Sequence, residues 1–167
     1  MTARFRAYKV PAAFVLLFWI GGLLYDSATP IFEGLDEVWH YAVVKQLAAG
    51  KGLPTVQPGI DPAWRQQGTQ PPLYYAIIAA STAWVDKSDY ASHRMLTSKQ
   101  LTIGLPEDVQ GEKFWYYHTR AEDFPYRGTT LAVHVGRWIS LLMASGVITM
   151  AYALARELLP NWPLVAG

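Results

Sequence analysis

The sequence predicts an all-α membrane protein, with transmembrane helices and a large external loop carrying juxtamembrane helices. Three observations predict it. Apolar residues make up 51% of the chain and charged ones only 16%, against roughly 25% charged in a typical soluble domain. Two apolar runs, over residues 10–29 and 131–155, stand near the two ends of the 167 residues. The stretch between them, residues 30–130, holds most of the charge and is too long for a bare connection.

Residues 1–9 form a basic tail. Arg4, Arg6 and Lys9 precede the first run, and no acidic residue occurs before Asp26. The positive-inside rule therefore puts the N-terminus in the cytoplasm. The run Val10–Tyr25 is short of the roughly 17 residues that a span needs, and Ser27-Ala28-Thr29 adds a turn before Pro30 stops it. The rival reading is a secretory signal peptide, but Tyr25-Asp26-Ser27-Ala28 is a poor small-x-small cleavage site. A retained helix is the better account, and either reading sends the next segment outside.

The external loop opens with a helix expected over 35–49. Leu35, Val38, Trp39, Ala42, Val43 and Leu47 recur at the spacing of one buried helical face. Asp36, Glu37, His40 and Lys45 fall on or beside the other face. Ala49-Gly50-Lys51-Gly52 ends the helix with glycines suited to a left-handed cap. A second helix is expected over 71–85, because Pro71-Pro72 suits a first helical turn. At about 1.5 Å per residue it reaches only about 22 Å, short of the roughly 30 Å hydrocarbon core. It reads as interfacial; if it spanned, residues 86–130 would be cytoplasmic.

Residues 86–128 read as an irregular insertion with two aromatic clusters, Phe114-Trp115-Tyr116-Tyr117-His118 and Phe124-Pro125-Tyr126-Arg127. Aromatics beside a membrane more often form an interfacial belt than a lid that stacks on sugar. His93, His118 and His134 show no partner at useful spacing and read as structural. The second span, Leu131 to Leu154, is uncharged from Trp138 to Ile148, with Arg137 near its outer end and Arg156 beyond its inner end. Residues 156–167 then make a cytoplasmic turn, and Leu164-Val165-Ala166-Gly167 opens another apolar run. A chain that stops there is expected to be a fragment of a multi-pass protein of the cell membrane.

Composition removes several function classes. A net charge of +1 offers no basic field for nucleic acid. With no cysteine, the chain has no disulfide, thiolate metal site or cysteine nucleophile.

The sharpest constellation is Gly34-Leu35-Asp36-Glu37-Val38-Trp39-His40-Tyr41. Two carboxylates open an amphipathic helix after a span, with a histidine one turn on. A helix N-terminus favours the ionised carboxylate. An ionised Asp can deprotonate a hydroxyl nucleophile or coordinate a divalent cation. The structural alternative is that Asp36 or Glu37 caps the helix and His40 is solvated, and first-turn acids are common enough to keep it open. A zinc-protease reading fails on Asp36 where His-Glu-x-x-His needs its first histidine.

The ordered set resembles the C-type membrane glycosyltransferases, in the branch of the protein O-mannosyltransferases and lipid A aminoarabinose transferases. It comprises the basic tail and span, Asp36-Glu37-x-x-His40-Tyr41, Gly50-x-Gly52-Leu53-Pro54, Gln70-Pro71-Pro72-Leu73-Tyr74-Tyr75 and Val135-Gly136-Arg137. The resemblance covers essentially the whole chain. It implies inverting transfer of a sugar from a polyprenyl-phosphate donor to a glycan, lipid or protein acceptor at the external face. It implies Asp36 as the catalytic carboxylate and Glu37 as its neighbour at the acceptor or a divalent cation. His40, Gln70 and Arg137 would line the substrate site, with membrane lipids around the spans. Thr69-Gln70 stand where the aminoarabinose branch has a Glu-Lys pair whose lysine meets the carrier phosphate. Arg137 is the substitute cation, against a role as a snorkelling interfacial arginine or a partner of Asp36 or Glu37. A non-catalytic transporter or assembly subunit should instead show charged or Gly/Pro-broken positions at mid-membrane. Here the two spans have clean apolar centres apart from Gly21-Gly22 and Gly146. A secreted binding domain tethered by one C-terminal helix would need the signal-peptide reading.

Overall fold

A computed structural model describes residues 2–34, 36–95 and 115–159, with side chains from Lys9 onward. Leu35, Phe114, the Arg4 and Arg6 side chains and the apolar run at Leu164 lie outside the described residues. The described chain is helical, with α1 over Thr2–Ala28, α2 over Glu37–Ala48, α3 over Leu73–Ser81 and α4 over Gly128–Leu158. It divides into two compact units: α1 with α4 from Arg137 onward, and Thr29–Gly136.

In the first unit, α1 and α4 are long and apolar enough to cross a membrane, α1 over Lys9–Ala28 and α4 over its whole length. Helix α1 starts earlier than the apolar run, at Thr2, with Pro11 inside it, where the ring lacks the N–H that would bond the carbonyl four residues back. Paired positions run in opposite directions along the two helices. Trp19 Nε1 donates to Ser145 Oγ (2.8 Å), and Gly22 lies against the Leu141 side chain. Arg137 Nη1 donates to Asp26 Oδ1 (3.1 Å), and Trp138 Nε1 to Asp26 Oδ2 (2.8 Å). The helices are therefore antiparallel, clasped at one end by a buried ion pair. Arg137, for which the sequence offered Asp36 or Glu37 as a partner, pairs within this unit with Asp26.

In the second unit, α2 buries Val38, Tyr41, Ala42, Val43 and Val44. The buried stripe is wider than the expected face, and Trp39 and Leu47 are only half-buried. Tyr41 is the reason: its ring joins Phe32 (5.6 Å between centroids) and Tyr90 (5.7 Å), and Phe32 also meets Tyr116 (6.2 Å). Part of the insertion's aromatic density is thus core, while Trp115, Tyr117 and Phe124 remain exposed. Helix α2 ends as its glycines predict. Gly50 adopts φ 68°, its N–H reaches Leu47 O (2.9 Å), and Lys51 N–H reaches Gln46 O (3.2 Å), the paired bonds of a Schellman end.

Helix α3 begins just after Pro72 but stops at Ser81, not Val85. At this end Thr82 N–H still bonds Ile78 O (3.0 Å) while Ala83 N–H shifts to Ala80 O (3.3 Å), and side chains bond the carbonyls around it. Thr82 Oγ1 donates to Ile78 O (2.8 Å), Trp84 Nε1 to Ser81 O (2.8 Å), and Lys87 Nζ to Thr82 O and Val85 O. At nine residues, α3 reaches only about 14 Å, too short to cross a bilayer. It packs on α2, and its Ile78 faces Gly136, where an added Cβ would lie 3.3 Å from Ile78 Cγ2.

Candidate functional site

Asp36 sits at the N-cap position of α2 but makes no side-chain cap bond. Its carboxylate is held sideways instead. Gln67 Nε2 donates to Asp36 Oδ2 (2.6 Å), and His40 Nε2 lies 3.3 Å from the same oxygen. The Asp36 side chain remains 43% exposed, and no described residue hydrogen-bonds its other oxygen, Oδ1. One oxygen is fixed and the other is presented.

Gln67 reaches Asp36 from a short 3-10 turn, Arg65–Thr69, on which it is the buried residue. The turn is pinned on both sides. Arg65 takes φ 43° and lays its guanidinium 4.5 Å over the Trp39 ring, while Trp64 Nε1 donates to Gln46 Oε1 (2.9 Å). Gly68 packs directly on the Trp64 ring, where any Cβ would collide. Sequence reasoning missed Gln67, although the dense Trp64-Arg65-Gln66-Gln67-Gly68 run was the signal that this stretch is not a bare loop.

On the other side, α3 completes the constellation. Tyr75 is buried, and its hydroxyl lies 2.7 Å from His40 Nδ1 and 3.3 Å from Gln70 Oε1. The His40 and Tyr75 rings stack at 5.8 Å and 29°. Burial above all, with the neighbouring Tyr74 and Asp36, pushes the Tyr75 phenol above its usual range, so it stays a hydroxyl donor at neutral pH. The fold thus gathers Asp36, His40 and Gln70 around Tyr75, whose hydroxyl lies within hydrogen-bond reach of His40 and Gln70, while His40 Nε2 stands at ion-pair distance from Asp36.

Glu37 has another attachment. Its Oε2 accepts from Phe32 N–H (2.7 Å) and holds Phe32 in a left-handed conformation, φ 68°, which costs a bulky residue energy. A cation bound by Asp36 and Glu37 would therefore compete with N–H donors on both. Among the described residues, no three His, Cys, Asp or Glu are grouped so as to hold a metal ion. Arg137 belongs to the other unit, bound to Asp26.

A second polar cluster corrects the reading of His93 and His118 as partnerless. His93 lies between Asp89 (3.2 Å) and Glu122 (3.0 Å), and His118 between Glu122 (2.7 Å) and Glu33 (2.9 Å). Asp89 stands four residues before His93 and Glu122 four after His118, a spacing visible in the sequence. Glu33 also accepts from Trp115 N–H (2.9 Å) and Tyr116 N–H (2.8 Å). Asp89 accepts from Thr129 N–H and Oγ1 at the start of α4, where a helix N-terminus favours a carboxylate. Gly128, at φ 52°, leaves room for it, since a Cβ there would strike the Asp89 carboxylate. His134 stacks on Tyr126, with centroids 3.6 Å apart.

Comparison with protein-family models, with curated proteins and with solved structures returns no match for this chain.

Proposed function

We propose that this chain belongs to a membrane glycosyltransferase that moves a sugar from a polyprenyl-phosphate donor to an acceptor hydroxyl, with Asp36 as the catalytic carboxylate. The observation that carries this reading is the Asp36 side chain. It occupies a helix-cap position without capping, is oriented by Gln67 and His40, and keeps one oxygen for an outside partner. In the proposed step the acceptor oxygen bonds to the anomeric carbon as the carbon–oxygen bond to the carrier phosphate breaks. The electron pair leaves with the phosphate, the acceptor proton goes to Asp36, and the sugar inverts. A phosphate leaving group needs no separate acid, which suits a site whose charged centre is one ionised carboxylate. The decisive experiment is the loss of that charge, argued in the Discussion.

Membrane residence is part of the same proposal. Phe14, Leu16, Leu17, Ile20, Leu23 and Leu24 on α1 are exposed, as are Leu142, Val147, Met150 and Leu154 on α4. Side chains of this kind belong against hydrocarbon, and the basic residues Arg4, Arg6 and Lys9 before the apolar run of α1 and Arg156 at the end of α4 support a cytoplasmic side for those ends. The Thr29–Gly136 unit is then external. In the full-length protein in intact cells, Lys51→Cys and Asp123→Cys, both at exposed positions, are expected to react with a membrane-impermeant thiol reagent. Labelling of Lys51→Cys alone would break the topology between them.

Arg137 is the proposed cation for the carrier phosphate, a contact that Gln70 does not supply. Arg137→Ala is expected to raise the apparent KM for donor several-fold. Because the same guanidinium clasps Asp26, Asp26→Asn is the control: it breaks the pair and keeps the cation. An equal rise in both variants would leave Arg137 a helix clasp only.

A further inference from the structure

Gln67, Asp36, His40, Tyr75 and Gln70 form one line of polar groups drawn from α2, α3 and the turn between them, with His40 Nε2 at 3.3 Å, ion-pair distance, from Asp36 Oδ2. Proton bookkeeping along it is restrictive. An ionised Asp36 offers only acceptors, so the His40 state that suits its 3.3 Å approach carries an N–H at Nε2. In a neutral imidazole Nδ1 then carries a lone pair, and the bond made there decides which nitrogen keeps the proton. The group at Nδ1 is the Tyr75 hydroxyl, with a single proton to give. Its distance to Nδ1 is 2.7 Å against 3.3 Å to Gln70 Oε1.

We propose that Tyr75 is a positioning residue for the transfer reaction: its hydroxyl donates to His40 Nδ1, fixes the Nε2–H tautomer and so turns that N–H onto Asp36 Oδ2, leaving Oδ1 for the acceptor hydroxyl. The inference rests on the reading of Asp36 as the catalytic carboxylate. It adds that the carboxylate's orientation is set from α3, through a hydroxyl that touches neither substrate. The stacked rings give a clean separation of roles. Tyr75→Phe keeps the ring against His40 and removes only the donor.

Two readouts on full-length protein test it. In 15N-histidine-labelled protein in lipid, with His40 assigned by His40→Gln, the unmodified chain is expected to show His40 as the Nε2–H tautomer. Tyr75→Phe should convert it to a tautomer mixture. In turnover with a defined polyprenyl-phosphate sugar, Tyr75→Phe should lower kcat roughly tenfold, the scale of one net hydrogen bond. KM should hold. The acid limb of the kcat profile should move to higher pH, because a carboxylate that loses an oriented donor is protonated more readily. An unchanged tautomer and an unchanged profile in Tyr75→Phe would overturn the inference and reduce Tyr75 to packing. Absence of transfer by the unmodified full-length protein would instead overturn the glycosyl-transfer reading, whatever the tautomer shows.

Discussion

Asp36→Asn is expected to lower sugar transfer by about two to four orders of magnitude, the usual cost of removing a positioned base, while expression and membrane insertion persist. The substitution is discriminating here because asparagine is a good helix cap. Asp36 makes no cap bond, so a change that could only improve capping cannot lower activity through the helix end. What asparagine alters is charge and the two contacts at Oδ2. An asparagine oxygen can still accept from Gln67 Nε2, so the turn Arg65–Thr69 keeps its anchor. The carboxylate that takes the acceptor proton is gone. Glu37→Gln should do less harm, because glutamine retains an acceptor for Phe32 N–H. The assay is transfer from a defined polyprenyl-phosphate donor by purified full-length protein, with folding followed by size exclusion in detergent. Near-normal turnover in Asp36→Asn would leave the acidic helix as ordinary structure and return the chain to the non-catalytic alternative.

The helical elements were legible because their signals are local. The apolar runs marked α1 and α4, the glycines after Ala49 marked the Schellman end of α2, and Pro71-Pro72 marked the start of α3. The position of Asp36 at the head of α2 was legible for the same reason. Its orientation was not, since it depends on Gln67 and Tyr75, which meet α2 only through tertiary packing. No periodicity predicts that a glutamine thirty-one residues on will take the place of a cap. The end of α3 was misplaced because apolar periodicity continues through Val85, while the capture of Ser81 O by Trp84 Nε1 is a side-chain effect. The histidine–carboxylate cluster was half legible. The spacings Asp89–His93 and His118–Glu122 are in the sequence, but the link of both pairs through Glu122, and of His118 to Glu33, is long-range.

Glu122→Ala is expected to destabilise the Thr29–Gly136 unit by about 3 kcal/mol, the low end of the roughly 3–5 kcal/mol for removing one partner of a buried ion pair. Both Glu122 oxygens are used, on His93 and His118, and its side chain is only 9% exposed. Each histidine has a carboxylate at both nitrogens, an arrangement satisfied fully only by the imidazolium. The Glu122 bond holds His93 above its usual range against the opposing effect of burial. For His118, burial lowers the value, but the bonds to Glu122 and Glu33 outweigh it and the net shift is upward. Burial opposes ionisation of Glu122 and Asp89, yet the histidine bonds, joined at Asp89 by Thr129, hold both below theirs. The signs then follow. Raised histidine values contribute stability that is complete below the unfolded-state value and is lost as pH rises through the folded one. Depressed carboxylate values contribute stability present above the unfolded-state value and lost as pH falls through the folded one. Protection should therefore be greatest at about pH 5–6, between the ordinary carboxylate and histidine ranges, and fall on both sides. Hydrogen exchange over residues 115–122 reads it directly, because Trp115 and Tyr116 N–H groups bond Glu33 within the same cluster. In Glu122→Gln the amide keeps the shape but offers an acceptor to only one histidine, so the alkaline fall should begin at lower pH. A protection factor over this segment, exchange corrected for the intrinsic base-catalysed rate, that is flat from pH 5 to 8 in the unmodified protein would show that the histidines do not carry the charge assigned to them.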